Sequence, residues 1–275
     1  MKTLVLANQK GGVGKSAVAT LMAYYLRHRG LRVIAVDLDH QGNLSKPLRL
    51  AGWSAPEAGH AGHLLTGPLP VLPPSGAVLV PAHDSLLGFE RQPTLHTPFA
   101  RQFRQFLTRV DGDFDVCVVD TNPNPDIRVI VALASADCVL SPIQLNQEAL
   151  DGVISLLNHE RIGVRKIKAV LNPKLQLVGL LPTLVEPTPF QKENFLQVIN
   201  HYFPLMIPLS PAAGDFARIP KRSCIAEAQA EGQRLWEMKK TAARDAWVEI
   251  EPSLRRIAEI VVPTLKSPSD GARPE

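Results

Sequence analysis

The strongest constraint on what this chain can fold into is a succession of short apolar runs without polar alternation. They are LVLA at 4–7, RVIAVD at 32–37, AVLVPA at 77–82, FDVCVVD at 114–120, DCVLSPI at 137–143, LVGLLPTLV at 177–185 and PLMIPL at 204–209. Runs of this length and composition read as strands buried on both faces. Helical stripes separate them. Phe99, Phe103, Phe106, Leu107 and Val110 share one face; Leu150, Val153, Ile154 and Leu157 form a second stripe, and Phe195, Val198, Ile199 and Tyr202 a third. Strands alternating with helices imply right-handed crossovers, so the expected fold class is α/β: a single doubly wound, mainly parallel sheet with helices on both faces.

Pro and Gly crowd residues 52–76, which include LPVLPPSG, and this stretch reads as a loop-rich insertion over the sheet. A last amphipathic helix carries Trp247, Ile250, Leu254, Ile257 and Val261 on one face and precedes KSPSDGARPE. The expected organisation is one domain over 1–265 and a disordered tail over 266–275. Apolar residues make up 45% of the 275 and charged residues 20%, which excludes a mainly disordered or fibrous chain. Cys117, Cys138 and Cys224 are widely spaced, and two of them lie in apolar runs, so buried thiols of a reducing cytosol are expected rather than disulfides or a metal cage.

The stretch NQKGGVGKSAVAT, 8–20, follows the first strand and opens a helix. Counting back from Gly14, Lys15 and Ser16, the phosphate-loop template G-x-x-x-x-G-K-[ST] should begin with glycine at position 9; the chain has Gln9 there, and then Lys10. Gly11, Gly12 and Gly14 permit backbone conformations that let successive N–H groups, including those of Val13 and Ala17, point at phosphate oxygens beside the positive end of a helix. Lys15 would reach the β- and γ-phosphates and Ser16 would hold Mg²⁺. A P-loop NTPase is the expected class. Asp120, ending FDVCVVD, is the candidate Walker B carboxylate; Asp37 or Asp39 could orient water, and Asp39 lies further into the loop, where it can reach the γ-phosphate. The chain lacks an N-K-x-D guanine clamp, which favours ATP.

Charge is unevenly spread. Between Arg161 and Arg244 there are 13 Lys and Arg against 6 Asp and Glu, a net +7 in a chain whose total is +4. That is the footprint of a nucleic-acid or anionic-surface partner. Candidate DNA contacts are Arg165, Lys166 and Lys168; Arg218, Lys221 and Arg222; and Lys239, Lys240 and Arg244.

These motifs resemble the ParA-type partition ATPases, also called deviant Walker A or Mrp/MinD-type ATPases. The segments that carry the likeness are KGGVGKS (10–16), VDLDHQGN (36–43), DFDVCVVDTNP (113–123), ALDGV (149–153), NPKLQLVGLLPT (172–183) and IPKRSCIAEAQAEG (219–232), so it spans roughly residues 1–235. The resemblance implies an ATPase of DNA segregation, serving a plasmid, a mobile element or a chromosome. It implies a homodimer in the ATP state, in which Lys10 crosses to the nucleotide of the partner subunit. It further implies Asp39 as the water-positioning carboxylate, Asp120 as the Walker B residue, and Pro220 near the adenine. A ParB-like centromere-binding partner, nonspecific DNA and a cytoplasmic, nucleoid-associated location belong to the same expectation.

Two departures stand out: His40 and Asn122 occupy positions where the family usually has proline. They bear on the loops around Asp39 and Asp120, and leave a noncatalytic nucleotide-binding scaffold as an alternative. A MinD-like membrane-associated ATPase is a second alternative, but it calls for a basic amphipathic helix at the C-terminus, where SPSDGARPE stands, so no membrane partner is expected.

Overall fold

The computed structural model describes residues 1–57, 59–65, 67–146, 149–210 and 214–265. The strands are β1 (Lys2–Leu6), β2 (Val33–Asp37), β3 (Ala77–Val80), β4 (Val116–Asp120), β5 (Cys138–Gln144) and β6 (Gln176–Thr183). The helices are α1 (Lys15–His28), α2 (Ser45–Leu50), α3 (His96–Val110), α4 (Ile127–Ser135), α5 (Ala149–Asn158), α6 (Val164–Val170), α7 (Pro189–Tyr202), α8 (Ser223–Glu231) and α9 (Thr241–Val261). The strands form one sheet in the order β3-β2-β4-β1-β5-β6, and each pairing is parallel. This is the expected doubly wound α/β architecture.

Alternation along each strand feeds two cores. In β1, Val5 faces one layer with Ile34, Val36, Val78 and Val119, covered by Phe99, Phe103, Phe106 and Val110 of α3. Leu4 and Leu6 face the other, with Val33, Ala35, Val116 and Val118, covered by α1 and by Ile250, Leu254, Ile257 and Val261 of α9. The period of two in a strand sends neighbouring side chains to opposite faces, so an unbroken apolar run is what a sheet covered on both sides requires.

The run PLMIPL does not become a seventh strand. Phe203–Leu205 is a turn of 3-10 helix, and Met206 makes only an isolated parallel bridge to Leu180. Pro204 and Pro208 have no N–H to give to a ladder, and Pro208 makes only an isolated antiparallel bridge to Phe216. β6 likewise ends at Thr183, before Leu184, whose φ of 53° turns the chain away from extended geometry. The helix α4 lay hidden between two strands in the sequence; Asp126 caps it, accepting a hydrogen bond from the Arg128 N–H at 2.8 Å. Ile154 of the second stripe is exposed rather than buried. The insertion is anchored by a bridge from Ser54 to Val78 and by buried Trp53, Ala61, Leu64 and Leu65. The expected tail, 266–275, lies outside the described residues.

The sheet order places β1 between β4 and β5, while the connection that leaves β1 runs to β2 on the far side of β4. That reversal is a topological switch point, and it opens a crevice at the carboxyl ends of the strands. In register, Asp120 lies opposite both Leu6 and Asp37, so the chain segments that leave β1, β2 and β4 emerge side by side.

Candidate nucleotide-binding site

The glycine turn that follows β1 is held by its neighbours on the sheet. Gly12 and Gly14 have φ of 76° and 80°, a left-handed geometry that costs other residues strain. The Thr183 hydroxyl donates to Val13 O at 2.7 Å and the Gln144 amide to Gly12 O at 3.3 Å, so the ends of β6 and β5 clamp the loop. Asn8 donates to Pro142 O at 2.8 Å and accepts from the Lys10 N–H at 2.8 Å. Lys15 opens α1 and is buried, its Nζ donating to Lys10 O at 3.0 Å. Burial lowers its pKa, and the charges of Asp120 and Asp39 act the other way. A lysine folded across its own loop in this way frames an anion site.

Three carboxylates stand beside it in different conditions. Asp120 is fully buried, and neither of its oxygens receives a hydrogen bond of ordinary geometry. Burial pushes its pKa well above the usual carboxylate range and the neighbouring Asp37 adds to the rise, while the Ser16 hydroxyl and Lys15 offset part of it. Asp37 is already committed. It accepts from the Asp39 N–H at 3.1 Å, from the Ser45 N–H at 2.8 Å and from the Ser45 hydroxyl at 2.7 Å, and burial lifts its pKa to about 6. Asp39 instead lines the crevice, accepting from the Gln41 N–H at 3.1 Å with His40 Nδ1 3.5 Å away. Asp37 thus shapes the loop, whereas Asp39 faces the cavity.

An unpaired buried carboxylate is costly. Two bare oxygens of Asp120 beside the Ser16 hydroxyl, under a phosphate loop, are the hard oxygen donors that Mg²⁺ takes, and Mg²⁺ keeps much of its shell for phosphate and water. The residues present fit that ion.

The crevice is a cavity of about 640 Å³, bounded by Gly11, Gly12, Gly14, Lys15, Ser16 and Ala17 on one side and by Asp39, His40 and Asn122 on another. Val13 is buried beneath the loop. Asn43, Lys46, Asn124, Gln229 and Ala230 also line it and were not singled out individually by motif reasoning. Gln229 donates to Ala17 O at 3.1 Å, which ties α8 to α1. The family-like segment 219–232 was the available signal for that wall. Pro220 is buried, paired with Val185, and does not line the cavity. Lys10 also lies outside this lining. It borders a separate small recess with Gln144, Asn146 and Gly152.

The basic candidates are not gathered on one helical layer. Arg165, Lys166 and Lys168 ride on α6, which packs into the α3 layer, whereas Lys240 and Arg244 flank the start of α9 in the other. Arg218 pairs with Asp215, Lys221 with Glu186, Arg222 with Glu249 and Lys240 with Glu227. Among the described residues no ion pair engages Arg165, Lys166, Lys168, Lys239 or Arg244, although Arg165 donates to Asn158 at 2.9 Å. No helix among the described residues is long and apolar enough to cross a membrane.

A glycine-rich loop between a strand and a helix, at the switch point of a parallel sheet and faced by a buried aspartate, defines a P-loop ATPase. Residues 4–235 match the CobQ/CobB/MinD/ParA nucleotide binding domain, and the chain belongs to that family. It is 34% identical to Protein IncC of Escherichia coli, over 91% of this chain and 67% of that protein. It is 37% identical to the chromosome-partitioning ATPase Soj of Thermus thermophilus, over 68% of this chain and 70% of that protein. Among solved structures, an ATP complex of McdA from Cyanothece has the same fold, with a TM-score of 0.73 at 18% identity, covering 98% of this chain and 99% of that one.

Proposed function

We propose that this chain is the ATPase of a DNA segregation system, working as an ATP-dependent sandwich dimer that holds DNA nonspecifically and is stimulated by a ParB-like centromere-binding partner. The kinship with Soj, a chromosome-partitioning ATPase, supports the segregation role. In this reading residues 1–265 act as one unit. The triphosphate lies on the N–H groups of Gly11 to Ser16 and the Lys15 ammonium neutralises its terminal oxygens. Ser16 and Asp120 would hold Mg²⁺, which would supply further neutralisation of the phosphate charge. Asp39, which faces the cavity, orients the attacking water.

The observation that carries the reading is the separation of the loop's two lysines. Lys15 folds into its own site, while Lys10 lies at the loop entrance outside the lining of that cavity. A cation so placed serves a neighbour's nucleotide, as an arginine finger does, and makes association conditional on the triphosphate. The basic surfaces of two subunits then add on DNA, and hydrolysis releases them.

DNA retention at several salt concentrations with ADP and with a nonhydrolysable ATP analogue tests this. Lys10→Ala is expected to bind nucleotide within a few-fold of the parent while losing analogue-dependent dimers and DNA retention; dimers of parental strength would refute the reading. Lys15→Ala, which removes a charge-assisted contact, is expected to weaken nucleotide binding itself by roughly 10- to 100-fold.

A further inference from the structure

Arg128 is among the largest fully buried side chains of the described residues, 2% exposed, and the proposed function leaves it unused. Its guanidinium spends its donors on three separate stretches of chain. Nε and Nη2 reach the Asp126 carboxylate, at 3.1 and 2.6 Å from Oδ2, with Nε also 3.3 Å from Oδ1. Nη1 donates to Leu86 O at 3.1 Å and to Leu38 O at 3.4 Å. Glu90 Oε2 lies 3.7 Å from Nη2.

Each of these partners leads to the nucleotide cavity or toward the surface. Leu38 immediately precedes Asp39, and its N–H donates to Asp120 O at 3.0 Å. Asp126 Oδ2, beside the guanidinium, also accepts from Asn122 Nδ2 at 2.7 Å, and Asn122 lines the cavity two residues after Asp120. Leu86 and Glu90 lie in the segment that enters α3. One planar cation therefore fixes the loop after β2 against the loop after β4.

A buried ion pair is weak evidence for stability, because desolvation consumes most of the attraction. A pair that served stability alone would need only Asp126. Here the remaining donors go to backbone carbonyls of two other segments, and only a fork with several fixed N–H vectors can do that; an ammonium cannot. We propose that Arg128 is a positioning residue for hydrolysis, holding the Asp39 loop and the Asp120 to Asn122 loop at the mutual distance that the water-orienting step needs. This rests on the reading of Asp39 given above.

The test compares the full chain with Arg128→Lys, Arg128→Met, Asp126→Asn and Asp39→Ala, using Mg²⁺ with ATP for turnover and Mg²⁺ with a fluorescent nonhydrolysable ATP analogue for affinity. Each variant is assayed at a temperature where circular dichroism finds it folded. A displacement of about 1 Å at a reacting group costs on the order of 100-fold, so both Arg128 variants are expected to lose roughly 10- to 100-fold in kcat while KM and analogue affinity stay within about threefold. Asp126→Asn, which keeps the shape and a cap acceptor, is expected to lower kcat in the same direction and keeps the inference testable should Arg128→Met fail to fold. Parental kcat in Arg128→Met or Asp126→Asn, or full turnover restored by lysine, overturns it. If Asp39→Ala retains parental turnover, the water-positioning reading itself is at fault; if Asp39→Ala is inactive and the Arg128 variants are not impaired, only the inference fails.

Discussion

At the scale of single residues, Asp120 has the burial and the bare oxygens that suit a metal ligand. Its oxygens are buried and unpaired, and its pKa is raised by burial and by Asp37. A carboxyl whose folded pKa exceeds its unfolded value contributes stability that is complete below the unfolded pKa and is lost as pH rises through the folded one. Asp37, lifted to about 6, follows the same sign. In metal-free protein, chemical denaturation should therefore give lower stability at pH 8 than at pH 5 from these two groups. Asp120→Asn removes one of the buried charges and should recover roughly 1–3 kcal/mol at pH 8 and little at pH 5. The same variant should make nucleotide binding indifferent to Mg²⁺. If its affinity for nucleotide still rises with Mg²⁺ as the parent's does, Asp120 is not a ligand.

At the scale of elements, α8 links packing to the cavity. Its C-terminal cap, Gly232, has φ of 65°, and a Cβ added there would collide with Leu50 and the backbone of Ala51 in the turn that ends α2. Gln229 and Ala230, in the last turn of α8, form part of the cavity wall. Gly232→Ala should cost more than about 1 kcal/mol in stability, from left-handed strain together with the clash. Because the helix must shift to relieve it, analogue affinity should fall as well. A lowered melting temperature with unchanged affinity would mean that α8 is scaffold only.

At the scale of the whole molecule, the basic residues that suggested DNA divide by partner and by layer. Lys221 and Arg222 are already paired with Glu186 and Glu249, whereas no ion pair engages Lys166 and Lys168 on α6 among the described residues. Phosphate contacts release counterions, and a lysine already compensated by a carboxylate releases fewer. Neutralising Lys166 and Lys168 together should reduce the salt slope of analogue-dependent DNA retention by roughly one to two, and neutralising Lys221 and Arg222 by less. Equal slopes for the two pairs would show that the ion pairs open on DNA.

A parallel sheet covered on both faces and a glycine loop that opens a helix were legible in the order of the residues. Unbroken apolar runs can be satisfied only by burial on both faces, and the spacing of Gly11, Gly12, Gly14, Lys15 and Ser16 is local chemistry that needs no partner from elsewhere in the chain. Strand ends were legible where an aspartate closes a run, as at Asp37 and Asp120, and illegible at PLMIPL, whose apolar composition matches that of a strand. The resemblance already pointed to Asp39; the tertiary structure supplied the reason Asp37 stays out of the cavity, its carboxylate being taken by Ser45, eight residues further on. It also brought Gln229 to the cavity wall and Arg128 onto Leu38 and Leu86. Those contacts join residues distant in the chain, and a burial pattern says that a side chain is inside without saying what it meets there.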